Sequence, residues 1–200
     1  MTFDDLLDLL TRDGPPRLLA FAGPPASGKT TLSERLAAAL GPRAQALPMD
    51  GFHLDNSILT ARGLLHRKGA PETFDAAGFL KAIEALSAGS LHVWPGFDRQ
   101  ADCVVPGAIP LNPDTETYVV EGNYLLLNQP VWRDLRGYWD GAVWLSVDEA
   151  VLRERLIRRW QDHGLSDAEA EARAEGNDMV NARLILAQSD IQDAVVFPGG

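Results

Sequence analysis

Apolar residues along this chain take two patterns. Short unbroken runs occur at Arg17–Ala22 (Arg-Leu-Leu-Ala-Phe-Ala), Tyr118–Val120, Ala142–Leu145 and Ala194–Phe197. Runs this short and this apolar mark strands of a parallel sheet, the first three of them buried and Ala194–Phe197 the last strand. Ala44–Met49 fits as another strand, with Pro48 placing it at a sheet edge or a strand end. Elsewhere apolar positions recur at helical spacing: Phe3, Leu6, Leu7 and Leu10 within Thr2–Arg12, and Phe79, Leu80, Ile83 and Leu86 in a helix that Asp75 can cap and that ends near Ser87. Thr31–Leu40 is built of good helix formers and stops at Gly41-Pro42. Ser146–Glu149 and Ser166–Glu169 both read as capping boxes, each opening a helix. The first of these runs to about His163, with Gly164 just beyond its end.

Strands alternating with helices predict an α/β fold, a three-layer sandwich with a mostly parallel sheet between helices. Leu54–Pro71 has no sustained period and reads as an irregular loop with a helical turn; loops of that length are often functional. Leu91–Pro110, broken by Pro95, Gly96, Pro106, Gly107 and Pro110, reads as a pair of short strands or an excursion near the site. Val131–Asp140 reads as a short helix or turn. In such a fold the active groups gather at the carboxyl ends of the strands.

Directly after the first strand come Gly23, Pro24, Pro25, Ala26, Ser27, Gly28, Lys29 and Thr30, matching G-x-x-x-x-G-K-[ST], with Thr31 opening the next helix. The two glycines let the backbone curl its N–H groups inward, in conformations a Cβ obstructs. Those amides and the helix N-terminus form an anion socket. Lys29 reaches the outer phosphates of a triphosphate, and the Thr30 hydroxyl is suited to ligate Mg²⁺. The order strand, loop, helix separates this match from a chance glycine-rich turn.

Composition narrows the setting. Two hundred residues suit one large domain or one domain with a small lid. The lone Cys103 permits no intramolecular disulfide, which fits a reducing, cytoplasmic compartment. Asp4, Asp5 and Asp8 are the wrong charge for a secretory signal, and no apolar run approaches the roughly 18 residues of a membrane span. The net charge of −10 argues against a broad nucleic-acid surface but leaves room for an anionic ligand held by a few local arginines. The lysines are Lys29, Lys68 and Lys81, and none lies in an Asn-Lys-x-Asp guanine motif.

Two carboxylates fall at strand ends beside the phosphate loop. Asp50 is the candidate to orient an acceptor hydroxyl and take its proton, although Asp-Gly is also a common turn dipeptide. Glu121 is the candidate to hold Mg²⁺ with Thr30, or else is a structural carboxylate. Arg155 and Arg159 share a helix face and are the candidates to bridge phosphate oxygens, against the plainer role of a solvated face paired with Glu149 or Glu154. The tryptophans, Trp160 included, read as packing.

The chain resembles the phosphoribulokinase, uridine kinase and bacterial pantothenate kinase group. Asp50-Gly51-Phe52 is similar to the group's Asp-Gly-Phe, and Arg67-Lys68-Gly69-Ala70-Pro71-Glu72-Thr73-Phe74-Asp75 to the pantothenate kinase run Arg-Lys-Gly-x-Pro-Glu-x-Tyr-Asp. Glu121-Gly122 resembles the group's strand end, and Arg155-Leu-Ile-Arg158-Arg159 the arginine-rich lid helix of uridine kinases. The resemblance implies a P-loop nucleoside triphosphate hydrolase fold of the nucleoside-monophosphate-kinase kind, a single domain over 1–200 with a helical lid around 153–176. It also implies ATP and Mg²⁺, and a small-molecule substrate bearing a hydroxyl. It departs at Pro95-Gly-Phe97-Asp98-Arg99, where pantothenate kinases carry Pro-x-Tyr-x-His, and at Asp102, where they carry another Tyr. Losing two aromatic hydroxyls and gaining an Arg and an Asp better suits a polyhydroxylated ligand.

Compact relatives of this type are described as nucleoside/nucleotide kinase-like proteins, some as fructose-transport-system kinases, which implies a sugar as acceptor. A nucleoside or pantothenate-like acceptor, or a nucleotide-hydrolysing regulator, are the alternatives. His53, Arg67, Asp98, Arg99 and Tyr124 join Asp50 as substrate-side candidates. His53 and Tyr124 have structural alternatives, and Arg67 could pair with Glu72. The expected partners include neither nucleic acid nor membrane, and a homodimer is left open.

Overall fold

The computed structural model describes residues 2–11 and 14–199. The side chain of Leu10 and all of Arg12, counted toward the first helix above, lie outside the described residues. Helix α1 (Phe3–Thr11) leads to β1 (Leu18–Ala22), α2 (Lys29–Leu40) and β2 (Ala44–Pro48). Then come α3 (Asn56–Ala61), α4 (Ala76–Ser87) and the strands β3 (Val93–Asp98) and β4 (Cys103–Pro110). Strands β5 (Thr117–Gly122) and β6 (Gly141–Ser146) are followed by α5 (Glu149–Asp162), α6 (Asp167–Arg173), α7 (Met179–Gln188) and β7 (Val195–Pro198).

Five strands form one parallel sheet in the order β2-β5-β1-β6-β7. Strand β1 is buried along its whole length, as its unbroken apolar run requires. Its residues alternate between layers. Leu19 and Phe21 face α2 and the underside of α1 with Leu6, Leu32 and Leu36. Leu18, Ala20 and Ala22 face a larger aromatic layer with Phe79, Trp94, Tyr124 and Trp132. The three-layer α/β sandwich is therefore as the hydrophobic pattern predicts. Strand β2, carrying Pro48, is an edge strand, so the missing proline N–H costs no ladder bond.

Register aligns the ends of the strands. Phe21 pairs with Glu121, Ala22 with Gly122, and Pro48 with Glu121. The phosphate loop, Glu121 and the turn carrying Asp50 thus emerge at one rim of the sheet.

Of the three helix caps that the sequence predicts, at α4, α5 and α6, two form. The Asp75 carboxylate accepts from the Gly78 amide at 2.9 Å and caps α4. Ser166 and Glu169 close a reciprocal capping box at α6. Ser146 does not cap α5. It is the last residue of β6, pairs with Pro198, and accepts from the Gly199 amide at 2.8 Å. The sheet takes the backbone that the capping box would need, and Asp148 occupies the cap position without a side-chain bond.

Strands β3 and β4 form an antiparallel hairpin outside the main sheet. Trp94 anchors it: the side chain is buried, its indole N–H donates to the Pro48 carbonyl at 2.9 Å, and Phe52 lies edge-on at 5.0 Å. Beside this anchor the hairpin backbone runs so close to Gly51 that a Cβ there would collide with the Pro95 carbonyl. Gly51→Ala is expected to lower stability by roughly 1–3 kcal/mol, the usual cost of overpacking, as read by urea unfolding.

Candidate active site

The loop between β1 and α2 is shaped for an anion. Ala26 and Gly28 adopt φ of 63° and 91°, and the Ser27 amide donates back to the Pro24 carbonyl at 3.2 Å. A Cβ on Gly23 would press to 3.0 Å on the Leu145 carbonyl and the Ser27 hydroxyl, so only glycine lets the loop sit this tightly on β6. No side chain caps α2, which leaves its first amides to a ligand. These features fit a bound triphosphate.

Lys29 is only 8% exposed, and its ammonium donates to the Pro24 carbonyl at 3.2 Å. Burial pulls its pKa down, while the charges of Glu121 and Asp50 oppose that shift. Glu121 is 6% exposed and accepts from the Thr30 hydroxyl at 3.0 Å. Burial pushes its pKa up, and Lys29 pulls it back. A carboxylate and a hydroxyl are hard oxygen donors suited to Mg²⁺. Among the described residues no cluster of three or more acidic, histidine or cysteine side chains could hold a metal alone. Mg²⁺ typically keeps waters and phosphate oxygens as its remaining ligands, so this pair suffices.

Asp50 sits in a tight turn after β2 and accepts from the Arg99 guanidinium at 3.0 Å. The His53 ring Nδ1 lies 2.8 Å from the Asp50 carbonyl oxygen. Its imidazole stacks with Phe74 at 4.1 Å and Phe97 at 4.7 Å, and burial lowers its pKa. From the opposite side, Arg155 on α5 donates to the Ala26 carbonyl at 3.2 Å. Arg159, one turn on, joins Trp160 in the same cavity.

That cavity has a volume of about 360 Å³ and holds Lys29, Thr30, Thr31, Asp50, His53, Arg99, Glu121 and Arg159 together. Arg155 and, within the loop, Gly23, Pro24 and Ser27 are not among its lining residues, and three substrate-side candidates lie outside it. The Arg67 guanidinium is engaged by Glu72 at 3.3 Å and Asn177 at 2.9 Å. Asp98 accepts from the Gln100 and Ala101 amides, both at 2.9 Å. Tyr124 is buried with its hydroxyl donating to the Gly69 carbonyl at 2.6 Å, and burial raises its pKa. Arg153 is likewise committed, to Glu171 and Glu175. A second hollow of about 210 Å³, beneath Trp139 and Arg136 at the start of β6, contains none of the predicted residues.

The cavity also recruits residues that sequence reasoning missed: Lys68, Phe74, Phe97, Asn123, Arg173, Asp178 and Asn181. Trp160, read as packing, faces it too, with its indole N–H donating to Asp178 at 2.6 Å. Asp178 closes a π-helical turn, Ala174–Asp178, between α6 and α7. Such wide turns often occur at functional sites. Lys68 and Phe74 lie within a run already singled out, a signal that could have found them; the π turn leaves no mark in the spacing of residues.

No family model matches the chain. A solved structure from Silicibacter sp. TM1040, named provisionally as a fructose transport system kinase, is 46% identical, with a TM-score of 0.92 over 99% of this chain and 100% of that one. A Schizosaccharomyces pombe protein, provisionally named a uridine kinase, is 35% identical over 196 residues, 90% of this chain and 82% of that protein. A pantothenate kinase from Parvibaculum lavamentivorans is 34% identical over 166 residues; the match takes in 74% of this chain and 49% of that enzyme, so the chain spans about half its length. With a phosphate loop, a facing carboxylate and two relatives matched across most or all of their length, this chain belongs to the P-loop kinases of the phosphoribulokinase, uridine kinase and pantothenate kinase group, ATP-dependent enzymes that phosphorylate small molecules at a hydroxyl.

Proposed function

We propose that this chain transfers the γ-phosphoryl group of ATP to a hydroxyl of a neutral sugar or similar polyol. The observation that carries the reading is the composition of the cavity opposite the phosphate loop. There the Asp50 carboxylate stands beside an aromatic slot made by His53, Phe74 and Phe97. The charges around it are already matched: Arg99 by Asp50 at 3.0 Å and Lys68 by Asp102 at 2.7 Å, with Arg173 close enough to Asp178 to affect its protonation. A site whose charges are internally neutralised favours a neutral ligand rich in hydroxyls over an acid. The name of the Silicibacter relative points the same way.

In this reading the loop amides and Lys29 hold the triphosphate. Thr30 and Glu121 hold Mg²⁺, which when bound offsets charge on the phosphate oxygens. Arg155 and Arg159 approach from α5, and the helical unit around 153–176 acts as a lid that excludes water. Asp50 orients the acceptor hydroxyl and takes its proton as the phosphoryl group leaves ATP, an effect typically worth about 10²–10⁴-fold. The imidazole of His53, kept neutral by burial, serves as an uncharged wall of the acceptor slot.

Turnover of ATP measured with a panel of sugars, polyols, nucleosides and pantothenate tests the assignment. A neutral sugar or polyol is expected to give the highest kcat/KM; preference for a nucleoside or pantothenate would overturn it, and acceptor-independent hydrolysis would point to a regulator. With the acceptor found, Asp50→Asn should keep ATP affinity and lose about 10²–10⁴-fold in kcat. Lys29→Ala should weaken ATP binding and turnover together. Acid should also act through His53. Its folded-state pKa lies below the ordinary 6.5, so as pH falls through that value the unfolded chain takes up a proton the fold rejects, and stability declines. Urea unfolding at about pH 7.5 and about pH 5.5 should show a smaller loss in His53→Gln than in the unaltered chain.

A further inference from the structure

Lys68 faces the acceptor side of the cavity, yet it has nothing left to offer a ligand. Its ammonium carries three N–H donors. One goes to the Asn56 side-chain oxygen at 2.6 Å, and the other two go to the Asp102 carboxylate at 2.7 Å and the Asp102 carbonyl at 2.9 Å. The side chain is 11% exposed and lies 5.2 Å from the centre of the Phe97 ring. Every donor is spent on protein, and two of the three go to one residue at the tip of the β3–β4 hairpin.

Asp102 is built into this grip. Its φ is 52°, a left-handed conformation that Asp tolerates better than most residues. Its second carboxylate oxygen accepts from the Asn56 amide at 2.9 Å. At the other end of the tip, Asp98 ties down the Gln100 and Ala101 amides. Arg99 lies between these two fixed points. Its side chain is 61% exposed, so packing does not hold it. The backbone of the tip must therefore aim its guanidinium at the Asp50 carboxylate, 3.0 Å away.

We propose that Lys68 is a positioning residue, which by gripping Asp102 fixes the hairpin tip so that Arg99 reaches Asp50. The proposal rests on the reading of Asp50 as the proton acceptor. It gives a use to Asp102 and Arg99 together, two of the positions at which this chain departs from the pantothenate kinase pattern. Neither acts alone: the carboxylate at 102 is the handle, and the arginine at 99 is what the handle sets.

Two measurements test it. Hydrogen exchange of residues 97–103 should speed up in Lys68→Met and in Asp102→Asn, which break the same contact from opposite sides; unchanged exchange in both would overturn the clamp. Acceptor-dependent turnover in Lys68→Met, Arg99→Met and the double variant forms a cycle. Each single change should lower kcat, by up to about 100-fold, with KM for ATP unchanged. The double variant should be no slower than Arg99→Met, because the first residue works through the second. Losses that multiply would overturn the coupling. Should the unaltered chain phosphorylate no acceptor at all, the reading of Asp50 fails separately, and the exchange measurement alone decides the clamp.

Discussion

The hydrogen-bond register of three neighbouring parallel strands governs everything at this site. Parallel ladders place residues abreast, and a slip of one residue turns every side chain to the other face. Here Phe21, Glu121 and Pro48 stand level across β1, β5 and β2. That alignment puts residues of the phosphate loop, the buried acid and the Asp50 turn around one cavity, though they come from distant parts of the chain. The register is held by burial on both faces. Leu18, Ala20 and Ala22 have no exposed face to slip toward, because Leu19 and Phe21 are equally committed on the other side.

A second constraint is electrostatic. Lys29 and Glu121 are both nearly sealed from water, and burial works against the charged form of each. Buried charges persist when each opposes the other's neutralisation, and they remain a weak source of stability. Such groups are poised for a ligand that brings its own charges. The same economy governs the acceptor side, where cations already have carboxylates near them and the room between is lined by aromatic rings. The two halves of the cavity therefore differ in kind: one holds amides and cations open to an anion, and the other is balanced before anything enters.

Much of this was legible in the chain itself, and the reasons differ by region. The phosphate loop was readable because its chemistry imposes spacing: Gly23 where a Cβ would press on Leu145, Gly28 at a positive φ, then Lys29 and Thr30 at the helix start. Strand β2 was readable as an edge because Pro48 cannot donate a ladder bond. The Asp75 cap and the Ser166–Glu169 box are local, so four residues suffice to see them. Ser146 misled because its role is set by β7, which lies far along the chain and competes for the same backbone. Arg67 and Tyr124 carried the right chemistry for a ligand but are engaged by Asn177 and the Gly69 carbonyl, partners that no periodicity reveals. The place of Asp178 and Asn181 in the cavity depends on a wide helical turn, and composition does not mark where a helix widens.

That wide turn also joins parts of the molecule that would otherwise be separate. Asn177 accepts from Arg67 and donates to the Lys68 carbonyl at 2.9 Å, while its neighbour Asp178 holds the Trp160 indole on α5. One short stretch thus bolts the arginine-bearing helix to the loop that carries Arg67 and Lys68. A displacement of α5 as a rigid body would therefore have to carry that loop with it or break these bonds.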